Sequence, residues 1–429
     1  MKQAQLLFLA RQIIDRLEEY GYEAYFVGGF VRDRLLNKPI KDIDIATSAM
    51  PDAVLKLFKR AEPTGLQHGT VTVILEGTPF EVTTFRSESG YTDHRRPDQV
   101  AFITDLREDL SRRDFTINAM ALDRSMQLID PFGGELDLLA KLLRCVGDAR
   151  ERFDEDALRM LRCIRFAAEY CLEIVQATWD AILLHQQAIR NVATERVRVE
   201  LERIIEGSSP ERGVALLVQS GLSAYFQVPL MMTLPNVKQP DQHMLLTNWQ
   251  KTDDPILRWA IFFFGAGTGA KEAQTTMRKL TFPNRKSEKI TSLLLLNEAL
   301  RQVTTSDHAE LRKQWILLAL QFGKETSSRW LSWLQLMEVS GNEAVRWQMV
   351  SKTLAAQGKQ WLDAMPVHEA AELAINGKQL LASGIPPGPA MGDILSRLLR
   401  ETALGAIPNE PHLLQTEAIR LWQSLDGKR

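Results

Sequence analysis

The stretch that most constrains this chain is Lys41-Asp42-Ile43-Asp44-Ile45, which follows the glycine pair Gly28-Gly29. Side chains two apart on a β-strand share a face, so a strand here projects Asp42 and Asp44 together. Two carboxylates that close repel unless positive charge lies between them, and hard divalent cations are the natural filler. A Gly-Gly turn at a strand end lets backbone N–H groups approach a phosphate chain. Together the two features predict metal-assisted chemistry on a nucleoside triphosphate. They leave open which nucleotide is used and what accepts it.

With 429 residues, the chain is too long for one core and is expected to divide into about two to four domains. Its 45% apolar and 25% charged residues are those of an ordinary globular protein. The apolar run Leu6-Leu7-Phe8-Leu9-Ala10 is cut off by Arg11, too early for a signal-peptide core. The runs at 260–264 and 293–296 fall far below a membrane-spanning length, so a cytoplasmic location is expected. Cys145, Cys163 and Cys171 form no CxxC, and the seven histidines are scattered, which argues against zinc and for reduced thiols. The net charge of −2 excludes histone-like bulk affinity for nucleic acid. An RNA partner would therefore require clustered arginines.

Helical spacing of Leu6, Leu9, Ile13, Ile14 and Leu17 predicts a helix over 4–20, stopped by Gly21. Residues 22–27 read as a strand, and 30–36 as a helix whose N-terminus faces the glycine turn and brings Arg32 to a triphosphate. Pro51 opens a further helix. Alternation over 70–75 and 80–85 predicts a β-hairpin. Glu81 on its second strand reads equally as a third carboxylate beside the aspartates or as a solvated strand residue. Residues 86–98 show no periodicity and read as a polar, mobile loop. Regular structure returns at Arg112-Arg113-Asp114-Phe115-Thr116-Ile117-Asn118-Ala119, and Asp130-Pro131-Phe132-Gly133-Gly134 closes the sheet domain. Beyond about residue 140 helical periodicity dominates, with breaks expected at 207–210 and 235–240. Eight of the nine tryptophans follow Pro240 and are assigned to helix–helix cores.

Arg152, Asp156, Arg159, Arg162 and Arg165 recur at steps of three or four, which predicts one continuous stripe along a single helix. Such spacing also suits an exposed, salt-bridged surface. Its excess of arginine, and its place soon after a candidate triphosphate site, support a ligand role. A carboxylate at Asp156 accepts from the amino group of cytosine or adenine, and a guanidinium at Arg159 donates to the adjacent ring nitrogen. Uracil and guanine would meet acceptor with acceptor and donor with donor, leaving desolvated groups unpaired.

These stretches resemble the class II tRNA nucleotidyltransferases, the CCA-adding enzymes. Gly28-Gly29-Phe30-Val31-Arg32-Asp33 with Asp42-Ile43-Asp44 is similar to their catalytic signature, and residues 112–119 to their ribose and triphosphate motif. Glu155-Asp156-Ala157-Leu158-Arg159 resembles their amino-acid template, with Arg162 and Arg165 at positions that also hold the nucleotide. Glu195-Arg196-Val197-Arg198-Val199-Glu200 is similar to the motif that buttresses the template, although Ala193 and Thr194 stand where a serine is common. Segments 373–378 and 384–389 resemble part of a tail domain that contacts the tRNA elbow. The resemblance implies an α/β polymerase-β-like nucleotidyltransferase head (1–145) followed by an all-α neck (146–207), body (208–325) and tail (326–429), elongated in shape.

It further implies C, C and A addition from CTP and ATP to the tRNA 3′ end, with two Mg²⁺ on Asp42 and Asp44. Gly29, Arg32 and Arg113 are expected on sugar and phosphates, and Asp156, Arg159, Arg162 and Arg165 on the nucleotide. The alternatives are an A-adding or CC-adding partial enzyme, a poly(A) polymerase, or a non-catalytic tRNA-binding protein on the same scaffold. Oligomeric state is not legible.

Overall fold

The computed structural model describes residues 3–90, 99–230, 248–305, 307–337 and 345–426. It divides into two compact units, Met1–Met232 and Thr233–Arg429. The expected break at 235–240 lies outside the described residues.

The first unit opens with α1 (Gln3–Glu19), which buries Leu9, Ala10, Ile13, Ile14 and Leu17 as its spacing dictates. Gly21, at φ +83°, ends the turn after it. Strand β1 (Ala24–Val27) leads through Gly28 into α2 (Gly29–Leu35). There follow β2 (Asp44–Thr47), α3 (Pro51–Leu57), β3 (Ala61–Gly65), β4 (Thr70–Leu75) and β5 (Thr78–Thr84). Glu76 and Gly77 both have positive φ and join β4 to β5 as a two-residue hairpin. With β8 (Ala121–Leu122) and β9 (Leu128–Ile129) these strands form a seven-stranded mixed sheet, in the order β3-β4-β5-β2-β1-β8-β9.

Register brings the site together. β1 runs antiparallel to β2 with Val27 opposite Asp44, so the glycine turn lies at the start of the aspartate strand. β2 runs parallel to β5 with Asp44 opposite Glu81. The strand begins at Asp44, and Asp42 precedes it rather than sharing its pleat, a correction to the expected strand.

A second correction concerns residues 86–98. Arg86–Ser89 (β6) and Gln99–Phe102 (β7) pair as an antiparallel ribbon rather than lying in an irregular loop. Arg86 Nε bonds Glu88 at 2.7 Å, and the Arg86 amide bonds the buried Asp109, contacts that hydropathy spacing does not reveal. The part of the expected loop at 91–98 lies outside the described residues.

After α4 (Leu106–Ser111), the 112–119 segment is clamped against α5 (Gly134–Leu139). Thr116 Oγ1 donates to Asp137 at 2.7 Å, and Asp130 accepts from the amides of Gly134 and Glu135. Further on lie β10 (Leu142–Leu143), α6 (Ala149–Glu155), α7 (Leu158–Glu169), β11 (Glu173–Ile174), α8 (Gln176–His185), α9 (Thr194–Ile205) and α10 (Pro210–Ser220). Pro210 opens the last of these at the break expected over 207–210.

The single helix expected across residues 151–165 is two helices. Asp156 takes an extended conformation (φ −142°, ψ 100°) between α6 and α7, and its Oδ1 accepts from the Leu158 amide. Aspartate competes in this way with the helical ladder, which is why the apparent stripe breaks there.

The described part of the second unit is helical. Trp249, Trp259, Trp315, Trp330 and Trp333 are fully buried, as expected of core residues. Trp259 meets Phe282 edge-on at 4.8 Å, and Trp330 Nε1 donates to Asn297. Toward its end, Asn376 and Gln379 form a capping box on the short helix Gly377–Ala382. Among the described residues no helix is long and apolar enough to cross a membrane.

A Cβ at Gly134 would run into the Thr116 backbone carbonyl. Gly134→Ala is therefore expected to destabilise the sheet unit by about 3 kcal/mol or more, read as a lowered urea midpoint. An unchanged midpoint would contradict the clamp.

Candidate active site

Gly28 sits at φ +69°, ψ −132°, a conformation natural to glycine alone. A Cβ there would lie 3.2 Å from Arg113 Nη1 and 3.7 Å from Asp44 Oδ2, and one on Gly29 would lie 3.4 Å from Arg32 Nη2. Bare backbone at these two positions leaves room between two arginines and an aspartate. The space belongs to a cavity of about 460 Å³, whose lining includes Asp42, Asp44, Asp156 and the arginines 32, 113, 159, 162 and 165. All the residues singled out from the sequence as site residues, Gly29 among them, therefore meet at one place.

The carboxylate end is starved of positive charge. Burial pushes the Asp44 carboxyl up, and Asp42 and Glu81 push it further, to about 6, against the pull of Arg113. Glu81 lies opposite Asp44 and its charge raises the Asp44 pKa, yet it is exposed and does not line the cavity, so it is at once a neighbour of Asp44 and a solvated strand residue. The donor set is hard oxygen throughout. Among the described residues no group of three or more His, Cys, Asp or Glu is placed to hold a metal ion. A pair of hard carboxylates at Asp42 and Asp44 fits a hard divalent cation that completes its shell with water and substrate phosphate. Arg113 Nε is buried without a hydrogen-bond partner, a donor fitted to an incoming anion.

Asp114 organises the arginine end. Its Oδ2 accepts from Arg162 Nε at 2.8 Å and Nη2 at 2.6 Å. Its Oδ1 accepts from Asn118 Nδ2 and the Phe115 amide, both at 2.9 Å. Burial alone would raise its pKa, but Arg162 and Asn118 overcome it and hold the carboxyl at about 2. Asn118 Oδ1 in turn accepts from Arg32 Nη1 at 2.6 Å. Arg165 donates to Glu200 at 2.6 Å and to Glu169 at 3.0 Å. The Phe166 ring lies 4.0 Å from the Arg165 guanidinium and just over 5 Å from those of Arg32 and Arg162, at 5.2 and 5.3 Å. Arg32, Arg159 and Arg165 are each less than a tenth exposed. The helical salt bridges that the spacing also suits are present, Arg159 with Glu155 and Arg165 with Glu169, but Arg159 and Arg165 are buried rather than on a solvated surface.

Asp156 and Arg159 are held separately. Arg196 on α9 grips Asp156 with Nη2 at 2.7 Å and Nη1 at 3.2 Å. Arg159 donates to Glu155 at 2.6 Å and to the carbonyls of Arg112 and Arg152 at 3.1 and 3.2 Å. Burial lowers the Arg159 pKa, but Glu155 and Asp114 more than reverse it, so the group stays a cation.

Asp114, Asn118 and Phe166 are not among the expected site residues, and Arg196 is expected to buttress the template without Asp156 being named as its partner. Asp114 and Asn118 stand four apart inside a recognised motif. That spacing hinted at a linked pair, but no local pattern announces their long-range arginine partners.

The Asp44 pKa sets a stability prediction. Its folded value of about 6 exceeds that of an unfolded aspartate, so the fold binds the proton more tightly and loses stability as pH rises through that interval. In chelator, Asp44→Asn is expected to gain on the order of 1–3 kcal/mol at pH 7.5, vanishing near pH 4. Denaturation at both pH values measures it. A loss at pH 7.5, or an equal gain at both, would contradict it.

Comparison with known proteins agrees with this geometry. Residues 24–144 match the poly A polymerase head domain, 171–232 a probable RNA- and SrmB-binding site of polymerase A, and 250–418 a putative tRNA nucleotidyltransferase domain 2. The CCA-adding enzyme of Levilactobacillus brevis is 37% identical over 402 residues, covering 94% of this chain and 95% of that one. That of Lactiplantibacillus plantarum is 38% identical over 416 residues, 94% of each. The crystal structure of the Bacillus stearothermophilus CCA-adding enzyme in complex with CTP superposes with a TM-score of 0.80 at 30% identity, covering 100% of both chains. The chain thus belongs to the CCA-adding enzymes, tRNA nucleotidyltransferases whose head fold implies the use of divalent metal.

Proposed function

We propose that the chain adds C, C and A in turn, from CTP and ATP, to the 3′ end of tRNA and releases pyrophosphate at each step. The observation that carries this reading is the single cavity that holds a carboxylate pair, a glycine cradle and the Asp156/Arg159 pair. The proposed division of labour follows the head, neck, body and tail boundaries expected from the sequence, with the tail on tRNA, and places the enzyme in the cytoplasm.

Asp42 and Asp44 are the residues that would hold metal, taken as two Mg²⁺. Bound there, the ions would supply a lowered hydroxyl pKa and charge neutralisation on the triphosphate. The tRNA 3′-hydroxyl loses its proton and its oxygen bonds the α-phosphorus, as the bond from that phosphorus to the bridging oxygen breaks and pyrophosphate departs. Arg32 and Arg113 bind the phosphates beside the Gly28-Gly29 backbone, and their fixed positions limit reorganisation during the step. Arg162 and Arg165 flank the sugar and base.

Base choice lies with Asp156 and Arg159. The Asp156 carboxylate, anchored by Arg196, accepts the exocyclic amino group of cytosine or adenine. Arg159 has more N–H donors than the three hydrogen bonds that hold it, and it donates to N3 of cytosine or N1 of adenine. Uracil and guanine reverse both polarities and leave buried groups unpaired.

Counting nucleotides added to tRNA that ends before CCA, and to tRNA that ends in CC, tests the reading. Three and one are the expected counts; addition to the second substrate alone would indicate an A-adding enzyme. Asp42→Ala is expected to lower turnover by at least about 10³-fold while leaving tRNA affinity within about twofold. Near-normal turnover would overturn the metal assignment.

A further inference from the structure

Tyr170 closes α7, the helix that carries Arg159, Arg162 and Arg165, yet its polar contacts are with α2 and the residues just after it. Its hydroxyl donates to Asp33 Oδ1 at 2.9 Å. That same oxygen accepts from Arg32 Nε at 2.9 Å and lies 2.9 Å from Arg32 Nη2. The Arg32 guanidinium carbon lies 4.3 Å from the Tyr170 ring centroid, and Lys38 Nζ lies 4.0 Å from it. Lys38 also reaches the Glu169 carbonyl at 3.4 Å. Burial pushes the phenol pKa up, so the hydroxyl is a permanent donor.

These contacts fix Arg32 twice over. The ring attracts the guanidinium through its quadrupole, and the hydroxyl holds the carboxylate that aligns two of the guanidinium nitrogens. On the other side of its fork Arg32 is tied to Asn118. A guanidinium oriented in this way meets a phosphate without rearranging. Because Tyr170 belongs to α7, a displacement of α7 displaces the groups that orient Arg32.

We infer that Tyr170 is a positioning residue that makes the pose of Arg32, and through it triphosphate affinity, depend on the placement of the helix that carries Arg159. The inference rests on the assignment of Arg32 to the triphosphate. It predicts that Tyr170 governs the grip on phosphates common to every nucleotide and leaves base choice alone. A residue that merely stitches α2 to α7 would lower thermal stability and leave affinity unchanged.

Calorimetric titration of the full chain with inorganic tripolyphosphate, and with CTP, in Mg²⁺ buffer separates the two. Tyr170→Phe, which keeps the ring and removes the hydrogen bond, is expected to weaken tripolyphosphate binding about fivefold. Tyr170→Leu, which removes both, is expected to weaken it at least about tenfold. In turnover the loss is expected in kcat/KM for CTP and ATP alike, with the preference for CTP over UTP retained. Arg32→Lys combined with Tyr170→Leu is expected to bind no more weakly than Arg32→Lys alone, because both changes act at one contact.

Unchanged tripolyphosphate affinity in a folded Tyr170→Leu protein, or additive losses in the double variant, would overturn the inference. If Tyr170→Leu does not fold, Tyr170→Phe decides alone: weakened binding upholds the inference and unchanged binding overturns it. A wild-type chain that binds tripolyphosphate Tyr170-dependently but adds no nucleotide to tRNA would sink the proposed function and leave this inference standing.

Discussion

The Asp114 carboxylate joins elements that the chain order keeps far apart. It accepts from Arg162 on α7 and from Asn118, and Asn118 accepts from Arg32 on α2. A buried ion pair of this kind contributes little net stability, because desolvating both charges offsets most of their attraction. Losing one partner is another matter, since the other charge is then stranded. What the arrangement supplies is orientation. Arg32 and Arg162 are held at the cavity by partners that are themselves held, and Glu200 does the same for Arg165.

Two aspartates in one site show opposite electrostatics. Asp114 lies beside Arg162 and is held at about 2 despite its burial, whereas burial and then Asp42 and Glu81 push Asp44 up to about 6. The first carboxylate has a cation bonded to it, whereas the pull of Arg113 on the second is outweighed. That contrast supports the proposal that Asp114 is a structural charge and Asp44 a ligand charge. It also gives a physical reason to expect a stability cost at the Asp42/Asp44 end, where the proposed function and stability pull in opposite directions.

Much of this was legible in the sequence. The glycine pair, the hairpin of β4 and β5 and the arginine positions each follow from local chemistry, and local chemistry is what a sequence displays; Asp42 reaches the cavity too, but from before the strand rather than along its pleat. The misreadings have a common cause. Helical spacing ran straight through Asp156, so the break there depended on a side-chain-to-backbone bond and on Arg196, forty residues on. The ribbon of β6 and β7 lacks hydrophobic alternation because Glu88 pairs with both Arg86 and Arg112 rather than with a core. Asp114, Phe166 and Tyr170 are unremarkable until the fold shows what faces them.

The account separates reactivity, assigned to Asp42 and Asp44, from selection, assigned to Asp156 and Arg159. The ratio of kcat/KM for CTP to that for UTP, compared between the wild type and an Asp156→Ala/Arg159→Ala variant, tests that separation most directly. The account predicts that the ratio falls by about 10²-fold or more, toward unity, while residual metal-dependent incorporation persists. A variant that rejects UTP as strongly as the wild type would contradict it.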